Sequence, residues 1–266
     1  MRATHFLQLF ETLALKGSYI KGAFQRLVAA KYMLAPQVEP DAVPLFKALI
    51  AQAEKQHAML STNYEFNPQP GDPYPSMKAM AHSIDTQKAA GQKPVVKVFA
   101  EPPGNADDGQ GHPVFTNDQN VLWRGVHDVM AHYAGRHPFS SRGELGAYNR
   151  HLRTLGPRMA PPLFTDLIGQ VSCFKIYDKY PLQKAAILRD FNFYRVGELA
   201  PESPLNHFFV IDRKALVPVQ GFQWAAFSQA EPQLAAELLK QPGFDPKEWE
   251  NYVRASDGSL LNQRRK

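Results

Sequence analysis

Within residues 121–184, apolar positions recur at three- and four-residue intervals, and side chains capable of binding metal fall at helical spacings among them. The pattern predicts three helices. The first starts near Asn117 or Asp118 and carries Asp128 and His132, four apart and so on one face, with His127 turned about 100° away. The second carries Glu144 and His151, seven apart, which is two turns and again one face. The third opens on Pro161-Pro162, where proline is tolerated, and carries Asp166 and Gln170. Short loops around 136–141 and 156–162 make these helices antiparallel neighbours, so the three polar pairs are expected to converge.

The rest of the chain is also mainly helical in pattern. Phe6, Leu7, Phe10, Leu13, Phe24, Leu27, Val28 and Met33 mark amphipathic helix through residues 4–34, bent or broken at Gly17 and Gly22. A helix capped by Asp41 runs through Leu45, Phe46, Leu49 and Ile50 to about Leu60. Residues 67–76, with four prolines, read as a loop, and 76–90 as a helix. Val95–Phe99 is the best strand candidate, by its β-branched residues and its alternation around Lys97. Residues 102–113 read as a loop bordering the polar site, with Asp107-Asp108 as a solvated turn or a weak cation holder. Pro181 opens a further helix over 182–191, then short apolar runs over 193–219 suggest strands or core-filling loops, one of which would pair with Val95–Phe99. Helices over 231–240 and 245–255 close the chain, the second capped by Asp245. The expected fold is mainly α: a single helical domain with a metal-capable polar core site and a minor β element. Residues 1–66 form an N-terminal helical section of it and 67–266 its main part.

Charge and cysteine usage narrow the chemistry only a little. Thirty Lys and Arg against 25 Asp and Glu give a net charge of +5, compatible with a phosphate-bearing small molecule or nucleic acid as partner. Lys175, Tyr177, Lys179 and Tyr180, and Arg189, Phe191, Tyr194 and Arg195, interleave cations with aromatics as a nucleic-acid surface would, and as a solvated helix face would. The basic end, 263–266, reads as a frayed tail. A single Cys173, inside an apolar stretch, excludes an intrachain disulfide. Gln8 and Glu11 interrupt the N-terminal apolar run, and no stretch reaches the ~20 apolar residues of a membrane span. Taking Met1 as the start, these features predict a cytoplasmic protein with no membrane partner.

Imidazole and carboxylate are the ligands of zinc, manganese, iron and magnesium sites, and a buried carboxylate needs a cation or donors. His127, Asp128, His132, Glu144, His151 and Asp166 are therefore candidate ligands of a divalent ion (Zn, Mn, Fe or Mg), with Gln170 orienting them from behind. The competing expectation is an internal hydrogen-bond network with no ion. The order His127-Asp128, His132, Gly143-Glu144, Ala147, His151 and Gly169-Gln170 resembles a domain of phage and prophage proteins, some very long, over roughly residues 113–188. Asp166 stands where the family tends to have Glu. That resemblance implies a phage or mobile-element origin, and hence a host-cell cytoplasm, without naming a reaction.

His127-Asp128 also resembles, more weakly, the metal-binding pair of the HD phosphohydrolases. It implies His57 or His82 as an upstream ligand and Asp166 or Asp190 as a downstream one. Together these point to a metal-dependent hydrolase of a phosphoester, with Asp128 or Glu144 as general base and Arg124, Arg136 or Arg142 binding phosphate. The alternative is a non-enzymatic helical phage protein that binds nucleic acid or protein.

Overall fold

Helix α1, Ala23–Leu34, buries Phe24, Leu27 and Val28 as its spacing predicted, but Tyr32 and not Met33 continues the buried face, and Met33 is exposed. The computed structural model describes residues 22–100, 111–212, 215–254 and 260–262. The expected helix over 4–21, the Asp107-Asp108 turn and the tail 263–266 lie outside the described residues, as does the part of the 102–113 loop expected to border the site. Mainly helical structure with a small β component is observed. The chain divides into two compact units: one of Met1–Leu34, Ser172–Lys179 and Leu188–Lys266, the other of Ala35–Val171 and Tyr180–Ile187.

The second unit holds His127, Asp128, His132, Glu144, His151 and Asp166. Its helix α2, Val43–Leu60, starts without a side-chain cap; Ala42 occupies the cap position, so Asp41 does not have the role expected of it. Proline in the first turn costs nothing there, because those amides lack helical partners anyway. Strand β1, Glu65–Gln69, pairs in parallel with β2, Val95–Phe99, and α3, Met77–Ala89, makes the crossover that parallel pairing requires. This corrects two expectations. Residues 67–69 are strand, Pro68 included, because among the described residues β1 has a neighbour on one side only and an edge strand tolerates a missing donor. The partner of Val95–Phe99 is therefore β1 and none of the runs after Phe191. Ser76 caps α3 by accepting from the amide of Ala79 at 3.2 Å. Val96 and Val98 of β2 join Tyr74, Met80, Ile84, Val129 and Tyr133 in one apolar core.

Helix α4, Asn117–His127, continues as a π-helical stretch, Asp128–Tyr133. Helix α5, Ser141–Leu155, packs against it. A short helix α6, Ala160–Leu163, leads into a second π-helical stretch, Phe164–Gly169, and on into α7, Gln170–Tyr177. The helix expected after Pro181 does not form. The segment is extended, because other parts of the unit take up its backbone groups: the Ala185 amide donates to the Gln37 carbonyl and its carbonyl accepts from the Glu39 amide, both at 2.8 Å. The Thr165 hydroxyl donates to the Ala186 carbonyl at 2.7 Å, and Glu39 accepts from the Ile187 amide at 2.9 Å. Local helix propensity is outweighed by these tertiary partners.

In the first unit, Phe24 packs edge-on against Phe191 at 5.4 Å, and buried Cys173 lies 3.5 Å from the Ala29 carbonyl as a small core residue. Strands β3, Phe209–Asp212, and β4, Ala215–Pro218, form an antiparallel pair. Helices α8, Trp224–Ala230, and α9, Pro232–Leu239, follow. Helix α10, Pro246–Glu250, is capped by Asp245 as expected but stops at one turn, and Tyr252–Arg254 (β5) pairs with Leu260–Asn262 (β6) where more helix was expected.

Candidate metal centre

The site begins with a well-defined helix start. Thr116 Oγ1 accepts from the Gln119 amide at 3.2 Å and Gln119 returns the bond to the Thr116 amide at 3.0 Å, a capping box one residue ahead of the expected cap. Twelve residues after Thr116, at Asp128, the backbone widens into the π-helical stretch. In an α-helix, residues five apart are about 140° out of phase, whereas π-type i→i+5 bonding stacks them. His127 and His132 are five apart, and their Nε2 atoms are separated by only 2.9 Å. His127, set about 100° aside by an α-helical reading, is thus a central member of the cluster. One ligand atom each from His127, Asp128 and His132 lies within 4.8 Å of the others, a grouping able to hold a metal ion.

Helix α5 adds two more side chains. Glu144 approaches the same two nitrogens, Oε2 at 3.4 Å from His127 Nε2 and Oε1 at 3.2 Å from His132 Nε2. His151, two turns on, is fully buried, with its Nε2 at 3.1 Å from His127 Nδ1. His151 Nδ1 is buried with no hydrogen-bond partner among the described residues. His132 Nδ1 lies 2.8 Å from the His137 carbonyl, an acceptor, so that nitrogen carries a proton; Nε2 faces Glu144 and His127, donating to the carboxylate when His132 is protonated and offering its lone pair to an ion when it is neutral.

Asp166 stands behind this group. Its Oδ2 accepts from Trp123 Nε1 at 2.7 Å and its Oδ1 from Gln170 Nε2 at 3.0 Å. The Trp123 ring packs against His151 at 4.8 Å between centroids and against His127 at 6.1 Å. Asp166 is thus tied to the histidines through Trp123, and Gln170 steadies Asp166 alone. Trp123 was not singled out from the sequence, although it lies four residues before His127, one turn away on the same face.

The electrostatics follow from burial and pairing. Burial alone would raise the Glu144 carboxyl, but hydrogen bonds from His127 and His132 outweigh it and hold Glu144 well below the usual carboxylate range. Burial would lower His132, but Glu144, the His137 carbonyl and Asp128 raise it instead. His151, buried beside other imidazoles, is held well below its ordinary value and stays neutral. Asp128 is pushed up to about 6 by burial, with His127 and His132 opposing and Glu144 adding repulsion. A carboxylate poised there exchanges protons near neutral pH.

Other candidates lie elsewhere. Arg142 is exposed and joins none of these contacts. Arg136 pairs with Asp85 at 3.1 Å, both groups about half exposed. Arg124 lies over the Phe99 ring at 4.7 Å, and its charge reaches Asp166. His57 stacks on Phe66 and contacts Ser61, His82 is exposed, and Asp190 pairs with Lys31 at 2.9 Å in the first unit. Neither histidine is in the ligand cluster, so the upstream position implied by the phosphohydrolase resemblance is not filled among the described residues. No helix among the described residues is long and apolar enough to cross a membrane. Compared with models of protein families, with curated proteins and with solved structures, the chain matches none.

Proposed function

We propose that the chain is a metal-dependent hydrolase of phosphoesters, of phage or mobile-element origin, whose divalent ion is held by His127, His132 and Glu144 with Asp128 beside them. One observation carries the metal: His127 Nε2 and His132 Nε2 are 2.9 Å apart, and the Glu144 carboxylate faces both, Oε1 at 3.2 Å from His132 Nε2 and Oε2 at 3.4 Å from His127 Nε2. Ligands about 2.0–2.2 Å from a common ion have mutual separations of roughly 3 to 3.5 Å, and a catalytic site leaves further positions open for water and substrate. The His137 carbonyl behind His132 and His151 behind His127 are the partners that a ligating imidazole usually has on its other nitrogen.

A bound ion lowers the pKa of its water toward neutrality. Among the chain's own residues, Asp128 would serve as the general base that takes the proton of the attacking water, whose bond to phosphorus would form as the phosphorus–oxygen bond to the leaving group breaks. Arg124, whose charge reaches Asp166, is the candidate phosphate partner, and the chain's net positive charge favours an anionic substrate. The test is the metal content of protein purified without an affinity tag, followed by hydrolysis of bis(p-nitrophenyl) phosphate and p-nitrophenyl phosphate with added Mn²⁺, Zn²⁺ or Mg²⁺. Less than about a tenth of an equivalent of metal, with no stabilisation on adding any of the three, rejects the centre. Bound metal with no turnover of either ester, or turnover that survives Glu144→Gln, rejects the hydrolase.

A second reading has its own support, because the same separations are hydrogen-bond distances and His132, His127 and His151 form a continuous chain. On that reading the cluster is a structural network in a nucleic-acid- or protein-binding phage protein. Melts of wild type and His132→Ala, each with and without chelator, separate the two: equal shifts in both conditions favour the network.

A further inference from the structure

The loop between the two ligand-bearing helices is built around the His137 side chain. The chain reverses at Arg136, which takes a left-handed φ of 54°. The His137 amide then donates to the His132 carbonyl at 3.1 Å, while the His137 carbonyl faces His132 Nδ1 at 2.8 Å. Residues 132 and 137 are clasped at both ends of this loop, and the second clasp sets the direction of the His132 lone pair.

The His137 ring anchors the loop. It lies between two glycines on different helical segments. A Cβ on Gly146 of α5 would fall 2.5 to 2.8 Å from three of its ring atoms, and one on Gly135 would fall 2.6 and 2.9 Å from two. With both positions bare, the ring fits against backbone on both sides. Any side chain at 146 would push it toward Gly135, where there is no room. Next to it, the Pro138 carbonyl lies so close to Gly143 that a Cβ there would be 1.6 Å from the oxygen. The start of α5 is therefore pressed onto the loop over two turns, and Glu144 rides on that same start.

We propose that His137 is a positioning residue for the ion: its ring, held between Gly135 and Gly146, fixes the carbonyl that aims His132 Nε2 at the site. This rests on His127, His132 and Glu144 forming an ion centre. A partner of this kind changes metal affinity by about 10- to 100-fold when it is lost, whereas a merely structural ring changes the melting temperature and leaves the affinity of the folded protein alone.

The test is titration of the full chain with Co²⁺, followed by visible absorption, and competition by Zn²⁺. His137→Ala and Gly146→Ala are each expected to weaken Zn²⁺ binding about tenfold or more and to change the cobalt spectrum. The double variant is expected to bind no more weakly than His137→Ala, since the methyl added at position 146 then meets no ring. Should Gly146→Ala fail to fold, His137→Ala and the double variant carry the comparison. Affinities of the single variants within about twofold of wild type, or losses that add in the double variant, overturn the positioning role and leave the centre standing. A wild type that binds neither ion overturns both.

Discussion

Trp123→Phe tests the support behind the histidines without touching a proposed ligand. The substitution keeps most of the ring and deletes the Nε1 donor that lies 2.7 Å from Asp166 Oδ2. Asp166 is only 7 % exposed, so the freed oxygen gains little water in exchange, and Gln170 on Oδ1 becomes its main remaining donor. A hydrogen bond to a charged group is worth about 1.5–3 kcal/mol. For a chain of this length that is about 3–6 °C in melting temperature, at roughly 2 °C per kcal/mol. The smaller ring costs packing as well, so the bond is isolated by a double-mutant cycle with Asp166→Leu, where the coupling should be about 1.5–3 kcal/mol. The pH dependence gives a second check. Burial raises the Asp166 carboxyl, with Trp123 opposing, so the native state holds this proton to higher pH than the unfolded state does. Ionising Asp166 therefore costs stability as pH rises through the interval above the ordinary value, and removing Trp123 widens that interval. The penalty of Trp123→Phe should be full near pH 8 and shrink toward pH 4, as measured by urea midpoints. A coupling below about 0.5 kcal/mol, or a penalty that does not change with pH, refutes the reasoning.

Gly143→Ala places a Cβ 1.6 Å from a backbone oxygen that no rotamer change can move; urea unfolding should show a loss at or above the upper end of the ~1–3 kcal/mol typical of overpacking. Saturating Zn²⁺ or Mn²⁺ should raise the wild-type melting temperature, and Glu144→Gln should abolish most of that rise; its chelated melt should also fall, because Glu144 is held low by its bonds from His127 and His132 and so stabilises the metal-free fold at neutral pH. Because Glu144 and its neighbours raise His132, protons compete with the ion there, and calorimetric metal affinity should fall as pH drops below 7. His112 is buried against Phe46 and Phe115, and burial lowers it to about 3. Its unfolded form takes up a proton that the native form refuses, so stability should decline as pH falls from about 6.5 toward 3. His112→Gln, which can still accept the Val114 and Phe115 amides that His112 Nδ1 holds at 3.2 Å, should flatten that decline in a series of urea midpoints.

The mainly helical fold was legible because apolar spacing carries it: Met80, Ala81 and Ile84 in α3 and Leu145 and Tyr148 in α5 recur at helical intervals and are buried. Residues 181–190 were misread because their backbone partners, Gln37 and Glu39, are some 150 positions away, and no local window contains them. Residues 65–69 were misread because Pro68 masks an edge strand whose partner lies thirty residues on. In the site, Glu144 and His151 lie on a regular α-helix, where seven residues are two turns, and both reach His127. His127, counted among the candidate ligands, was nevertheless turned about 100° from the shared face by assuming 3.6 residues per turn through a segment that does not keep that period. The His137 carbonyl could not be anticipated, since a backbone acceptor has no sequence signal.

A π-helical turn amounts to an α-helix carrying one surplus residue. Both such stretches, Asp128–Tyr133 and Phe164–Gly169, adjoin the polar cluster. Removing one residue from the first, Met130 for example, would let the helix relax to the ordinary period while keeping the downstream register. The two imidazoles would then be four apart and still on one face, but Asp128 would lose the widened turn that sets it beside them, and the carbonyl of Met130, which accepts from Arg150 Nε, would be gone. Chains that share this architecture by descent should therefore come in two lengths, differing by single residues at these two points. The shorter ones should have straighter helices and a cluster without the acid.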